Sequence, residues 1–310
     1  MRHLLTLADL TVAELGQILS IAQDLKRKYE RGVREPLLAG RVMALLFEKP
    51  SLRTRVSFEA GMTHLGGSSI FLGADAGFGS REPIADFART LDKYADVIVI
   101  RANRHQTALD LAANAACPVI NGLTDFSHPC QALADFYTMR ELRGPLDQQT
   151  LAWIGDANNV ARSLAIGCGK LGVRMTMATP SAYQFDGRAL EWIQKYSPAL
   201  KLTVTRDPAE AVREATAVYT DVWTSMGQES QRETRLRDFA AYQVNAALMR
   251  QAPRDALFMH CLPAHRGEEV TEEVIESPQS VVFQQAANRM HIQKGVVAWL
   301  LDAAGGEARG

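Results

Sequence analysis

Two hydrophobic periods alternate along this 310-residue chain. Short apolar runs at 42–47, 69–72, 97–100 and 119–120 are bounded by turn-forming residues and read as buried strands. Between them the apolar positions recur at helical spacing. Residues 11–30 place Leu15, Ile18, Ile21, Ala22 and Leu25 on one face, Phe58, Met62 and Leu65 follow at i, i+4 and i+7, and Ile84, Phe87 and Leu91 repeat the pattern behind an N1 proline, Pro83. A helix over 106–116 and another opening at Ser127 complete the first half, with Gly66-Gly67 as a helix stop and the strand at 119–120 leading into Asn121-Gly122. The second half repeats the scheme. Strands are predicted at 151–154, 174–178, 201–205, 217–223, 256–263 and 281–284, and helices at 160–171, 208–215 and 288–302. Strand and helix in regular alternation imply parallel sheets flanked by helices. The polar, turn-prone run Arg143-Gly144-Pro145-Leu146-Asp147 reads as a hinge, so the expected fold is α/β with two doubly wound parallel-sheet domains.

In such sheets ligands bind beyond the carboxyl ends of the strands. In the first half those ends carry Ser51-Leu52-Arg53-Thr54-Arg55, then Arg101, then His128-Pro129-Cys130-Gln131. The first of these stands at a strand-to-helix junction, where unpaired N–H groups and the helix dipole favour an anion. Two arginines there suit phosphate or carboxylate oxygens, although a serine cap with two surface arginines would leave the same residues. In the second half the strand ends present Asp156, Asn158 and Asn159, then Asp221, Ser225 and Met226, then His260, Cys261 and Leu262. Carboxylates, amides and a thiol suit a small zwitterion or amine better than a second phosphate. Cys261 is either a reactive thiol or a small buried apolar residue.

Composition narrows the partners. A net charge of -1 gives no general surface for nucleic acid or membrane, so any anion site is local. The four cysteines lie far apart without a CxxC pair, which suggests neither a disulfide framework nor a zinc site. The N-terminal apolar run is too short for a signal peptide and no stretch approaches a membrane span, so a cytoplasmic location is expected. At Gly155 the strand-turn-helix lacks the GxGxxG of a dinucleotide site, and neither GxSxG nor HExxH occurs.

Ser51-Leu-Arg-Thr-Arg55, His128-Pro-Cys-Gln131, Ser225-Met-Gly-Gln-Glu229 and His260-Cys-Leu-Pro263, in this order, resemble the aspartate/ornithine carbamoyltransferase family. The last two are similar to its ornithine branch. The likeness runs from the N-terminal helix to Asn288-Arg289-Met290. It implies a carbamoyl-phosphate domain over 1–142, joined by a C-terminal helix (288–310) that packs back on it, and an ornithine domain over 143–287. It further implies that Ser51, Leu52, Arg53 and Thr54 hold the phosphate, and that Arg101 bridges phosphate and carbonyl oxygen. His128 and Gln131 would address the carbamoyl group, with Arg289 on the carbamoyl phosphate side, and Cys261 and Leu262, counted with the carbamoyl-phosphate set, would lie beside the attacking amine. Asn159, Asp221, Ser225 and Met226 would hold ornithine. Arg53, Arg101, His128, Gln131, Asp221, Cys261 and Arg289 form the implied catalytic set. No metal or organic cofactor is implied, and the implied assembly is a homotrimer or a multiple of trimers. Three positions depart from the family pattern. Leu52 stands for a threonine and Ala287 for a glutamate. Gly77 stands where ornithine enzymes place a glutamine that reaches a neighbouring subunit, which implies weaker carbamoyl phosphate binding, a substitute group such as Arg81 or Ser80, or an altered substrate.

Overall fold

The structure, a computed structural model, describes residues 2–73, 76, 78, 81–225 and 227–302. Contacts divide the chain into two compact units, Met1–Leu133 with Ala287–Gly310, and Ala134–Ala286. Each is built on one parallel sheet, as the alternation predicts. No helix among the described residues is long and apolar enough to cross a membrane.

The first unit contains strands β1 (Val42–Phe47), β2 (Ser68–Leu72), β3 (Val97–Arg101) and β4 (Val119–Leu123) in the order β2-β1-β3-β4. Its helices are α1 (Val12–Glu30), α2 (Leu52–His64), α3 (Ile84–Leu91), α4 (His105–Asn114) and the start of α5 (Pro129–Arg143). Thr11 caps α1 with a reciprocal Thr11/Glu14 box. Strand β3 is buried along its whole length, as its unbroken apolar run requires of a central parallel strand. The sheet reverses winding direction between β1 and β3, and the register pairs Phe47 with Arg101. The two strands therefore end level, which brings the segment after β1 beside the end of β3.

The second unit contains β5 (Thr150–Ile154), β6 (Arg174–Ala178), β7 (Lys201–Thr205), β8 (Ala217–Thr220) and β9 (Leu257–His260), ordered β7-β6-β5-β8-β9. Its helices are α6 (Asn159–Leu171), α7 (Gly187–Tyr196), α8 (Pro208–Val212), α9 (Arg232–Phe239), α10 (Ala246–Met249), α11 (Glu272–Ile275) and the start of α12 (Val282–Leu300). Trp153 stacks on Tyr219 across neighbouring strands with ring centroids 5.2 Å apart, both rings fully buried. Here the winding reverses between β5 and β8, and Ile154 pairs with Thr220, which pairs with His260. Asp221 and Cys261 thus leave adjacent strands at the same height.

Four sequence expectations change. The run at 281–284 is the opening of α12 and not a strand; only a bridge from Ser280 to Phe258 continues the sheet, and Phe283 faces solvent. A β-branched run cannot reveal that only one of its sides is covered. Asn121 and Gly122 lie within β4, because the Asn121 amide bonds the Leu5 and Ser127 carbonyls and a Cβ at Gly122 would meet the Ile100 carbonyl at 3.2 Å. Pro83 is the N-cap of α3, one position before the first helical turn. Strands β8 and β9 stop at Thr220 and His260, short of the predicted 223 and 263, which leaves Asp221 and Cys261 just outside the sheet.

After residue 287, α12 packs within the first unit. Trp299 Nε1 donates to Gln17 Oε1 at 3.1 Å, and Lys26 Nζ donates to Asn288 Oδ1 at 2.8 Å. A Cβ at Gly295 would lie 2.9 Å from the Ile18 carbonyl oxygen, so the backbones of α1 and α12 meet there.

Candidate active site

In the first unit the hydroxyl of Thr54 is the gathering point. Ser51 is the N-cap of α2, and its Oγ accepts from the Thr54 N–H at 3.3 Å while donating to Thr54 Oγ1 at 3.1 Å. The same Oγ1 accepts from Arg289 at 2.9 Å and from Arg101 at 3.4 Å. Both guanidiniums are buried, so a strand end and a distant helix deliver charge to one point at a helix start. Burial pushes the fully enclosed His128 well below the usual histidine range, and Arg289, Arg101 and Arg53 push in the same direction. Its imidazole is therefore neutral at pH 7, and the field it senses is positive. Gln131, also buried, follows one helical turn after His128 on α5. The sequence expectation of two arginines at the junction divides. Residues 53 and 55 lie about 200° apart around a helix, and Arg55 instead reaches Glu59 at 3.1 Å and covers the Phe71 ring. The Leu52 side chain is exposed, so what it can offer an anion is its backbone N–H.

In the second unit Asp221 takes that central place. Its Oδ1 accepts from the Val222 N–H at 2.8 Å and from the Cys261 thiol at 3.0 Å, and its Oδ2 accepts from Asn158 Nδ2 at 2.8 Å. The Asn158 side chain also caps α6, accepting from the N–H groups of Val160 and Ala161, and Asn159 is the first residue of that helix. The Leu262 N–H donates to His260 Nδ1 at 2.8 Å, which holds Leu262 at a φ of 55°, a left-handed conformation uncommon for a branched side chain. The Ser225 N–H donates to Gln228 Oε1 at 3.0 Å. Met226, Gly77 and Ser80 lie outside the described residues.

Each unit thus offers one half of a two-reactant chemistry, an anion cradle of guanidiniums in one and a carboxylate–thiol pair in the other. The sequence matches known proteins over nearly its whole length. Residues 2–141 match the carbamoyl-P binding domain of aspartate/ornithine carbamoyltransferases, and residues 147–300 match their Asp/Orn binding domain. The chain belongs to the aspartate/ornithine carbamoyltransferase family. Among relatives of the family, it is 50% identical to an ornithine carbamoyltransferase of Rhodopseudomonas palustris, covering 97% of each chain. It is 48% identical to that of Bacillus subtilis, covering 97% of this chain and 94% of the relative. Its structure is similar to ornithine carbamoyltransferase from Pyrococcus furiosus, with a TM-score of 0.94 and 46% identity over 99% of this chain and 98% of that one.

Two features of the site carry no signal in the sequence. One is the pairing of Asn158 with Asp221. The other is Arg235, which is buried and donates to Asp156 Oδ2 and to the Trp223 carbonyl, both at 2.8 Å. It ties the turn after β5 to the segment that leads to Ser225. Nothing in its local sequence, Arg232-Glu-Thr-Arg235, marks it among its charged neighbours. Asp221, His260 and Cys261 also offer ligand atoms within 4.8 Å of one another, but the His260 ring is already engaged, accepting at Nδ1 and facing Glu269 Oε1 from Nε2 at 3.3 Å.

Proposed function

We propose that the chain transfers the carbamoyl group of carbamoyl phosphate to the side-chain amine of L-ornithine, giving L-citrulline and phosphate. The observation that carries this reading is the convergence of Ser51, Arg101 and Arg289 on Thr54 at the start of α2, within a family whose curated relatives are named for this activity. The carbamoyl-phosphate half takes residues 1–142 and 288–310, and the ornithine half 143–287. The reaction is set in the cytoplasm.

The amine attacks a carbonyl carbon whose leaving group is phosphate. Negative charge grows on the carbonyl oxygen and then on the departing phosphate, so fixed cationic donors lower the barrier. Arg53, Arg101 and Arg289 take that role, with Ser51, Thr54 and the Leu52 N–H on the phosphate. Neutral His128 and Gln131 address the carbamoyl group. The reading uses no metal or organic cofactor, because the guanidiniums supply the charge stabilisation. The amine must be neutral to attack, and deprotonating a lysine-like group of pKa about 10.4 at pH 7 costs roughly 4.6 kcal/mol. A positive field lowers that cost, and binding of the amino-acid end through Asn159, Asp221, Ser225 and Met226 offsets the remainder. Cys261 and Leu262 lie beside the attacking amine. The catalytic unit is a homotrimer. Leu52, at 75% exposure, and Val56 share one face of α2, and Ile70 is uncovered on the edge strand β2, which gives the first unit an apolar surface for a second copy.

Citrulline formation from ornithine, with putrescine and acetylornithine run in parallel, tests the substrate. Turnover of either control without turnover of ornithine would reassign it. Arg53→Ala is expected to lower kcat/KM about a hundredfold or more, since it removes a donor to developing charge. A loss of tenfold or less would place the phosphate elsewhere.

A further inference from the structure

Behind the Asp221–Cys261 pair lies a buried polar network that the proposed reaction does not use directly. Gln285, on the first turn of α12, is fully buried. Its Oε1 accepts from the backbone N–H of His260 at 3.0 Å, while its Nε2 donates to Asp135 Oδ1 at 2.7 Å and to the Tyr219 hydroxyl at 3.1 Å. The assignment of oxygen and nitrogen follows from the partners. A backbone N–H can only donate, so the atom facing His260 must accept, and the atom facing the Asp135 carboxylate must donate. Asp135 and Tyr219 are as fully enclosed as Gln285, and Asp135 also hydrogen-bonds the Tyr219 hydroxyl. Only a primary amide satisfies all three neighbours. An aliphatic side chain would strand the His260 N–H, and a carboxylate would confront Asp135.

The next residue after His260 is Cys261, whose thiol rests on Asp221, and the one after it donates its N–H to the His260 ring. We propose that Gln285 is a positioning residue. By fixing the main chain where β9 ends, it holds the Cys261 thiol on Asp221 and the segment His260–Leu262 in its working geometry. The kinetic consequence rests on the proposed carbamoyl transfer to ornithine; the placement of the thiol does not.

Two variants and two readouts separate these. Cys261 is the one cysteine of the four that is not buried, so iodoacetamide labelling without substrates, located by mass spectrometry, reads its environment directly. Gln285→Ala is expected to change the Cys261 labelling rate at least fivefold. It should lower kcat/KM for ornithine at least tenfold, while the dissociation constant for carbamoyl phosphate stays within twofold. Gln285→Glu keeps the shape. With its carboxyl protonated it donates to Asp135 and accepts from His260, so activity near wild type is expected at the acidic end of the range. As pH rises it ionises against Asp135, with the Tyr219 hydroxyl the other group facing it, and activity should fall where wild type stays level. An unchanged labelling rate in Gln285→Ala, or a wild-type pH profile in Gln285→Glu, overturns the proposal. Weakened carbamoyl phosphate binding equal to the loss toward ornithine would do the same, by marking general damage. A wild-type protein inactive on ornithine would sink the functional reading alone, since the labelling comparison would still decide the role of Gln285.

Discussion

Thr54 contributes no charge, yet Ser51, Arg101 and Arg289 all meet at its hydroxyl. A neutral acceptor orients guanidiniums without cancelling the positive field that a phosphate would need. Thr54→Val keeps the volume and removes the acceptor, so the guanidiniums lose their common anchor while the fold is kept. We expect kcat/KM for carbamoyl phosphate to fall roughly tenfold to a hundredfold, the scale of one misplaced donor to a developing anion. Steady-state kinetics with the thermal midpoint measured alongside would separate this from unfolding. The same field gives His128 a pH signature. Its folded pKa is depressed, chiefly by burial. Above the unfolded value of about 6.5 both states are neutral there and pH changes nothing. Below it the unfolded chain binds a proton that the native chain refuses, so stability falls as pH drops, by up to about 1.4 kcal/mol per pH unit for this group. Denaturant midpoints of wild type and His128→Asn between pH 7 and 5 should diverge from parallel, with the shallower slope in the variant. Parallel slopes would mean that His128 takes up its proton at the same pH in the native and unfolded states, with no depression by burial.

At the scale of elements, close approach at Gly295 fixes where α12 lies on α1. Gly295→Ala would drive a methyl against the Ile18 carbonyl and within 3.0 Å of Ala22 Cβ, neither of which is the free end of a flexible side chain. Overpacking of this kind costs about 1–3 kcal/mol, so a lower thermal midpoint with unchanged kcat is expected from calorimetry paired with an activity assay. This contact is invisible in the sequence, where Gly295 is an ordinary helix interior glycine. Much else is legible there. Strands β1, β3 and β8 are largely apolar runs whose ends lead into polar residues, so periodicity and topology alone give the positions of Ser51, Arg101 and Asp221. Features set by register are not legible. That Asp221 touches Cys261 comes from Thr220 facing His260 across β8 and β9, and that Arg55 turns away comes from its angle on α2. The opening of α12 misleads for a related reason: 281–284 has a strand's composition, and only the exposure of Phe283 reveals a helix with one side in water.

At the scale of the whole molecule, the apolar face of α2 turns the assembly into a measurable quantity. Leu52 and Val56 stand one turn apart on the same helix that begins the anion cradle, and Val56 is 50% exposed. On an isolated chain Val56→Asp would be a surface substitution worth no more than about 0.5 kcal/mol either way. In the proposed trimer the same change buries an unpaired carboxylate in an apolar contact, which costs several kcal/mol per site and is repeated at every interface by symmetry. The two cases predict different masses in solution. Light scattering after size exclusion should report three chains for the wild type and a shift toward one chain for Val56→Asp. The thermal midpoint should rise with protein concentration in the wild type and lose that dependence in the dissociated variant. Activity should follow the mass, because α2 carries Arg53 and Thr54 within one turn of Val56, so an interface on this short helix steadies the cradle at its start. A variant that remains trimeric, or one that becomes monomeric with full activity, would move the interface away from α2 and leave the cradle to the single chain.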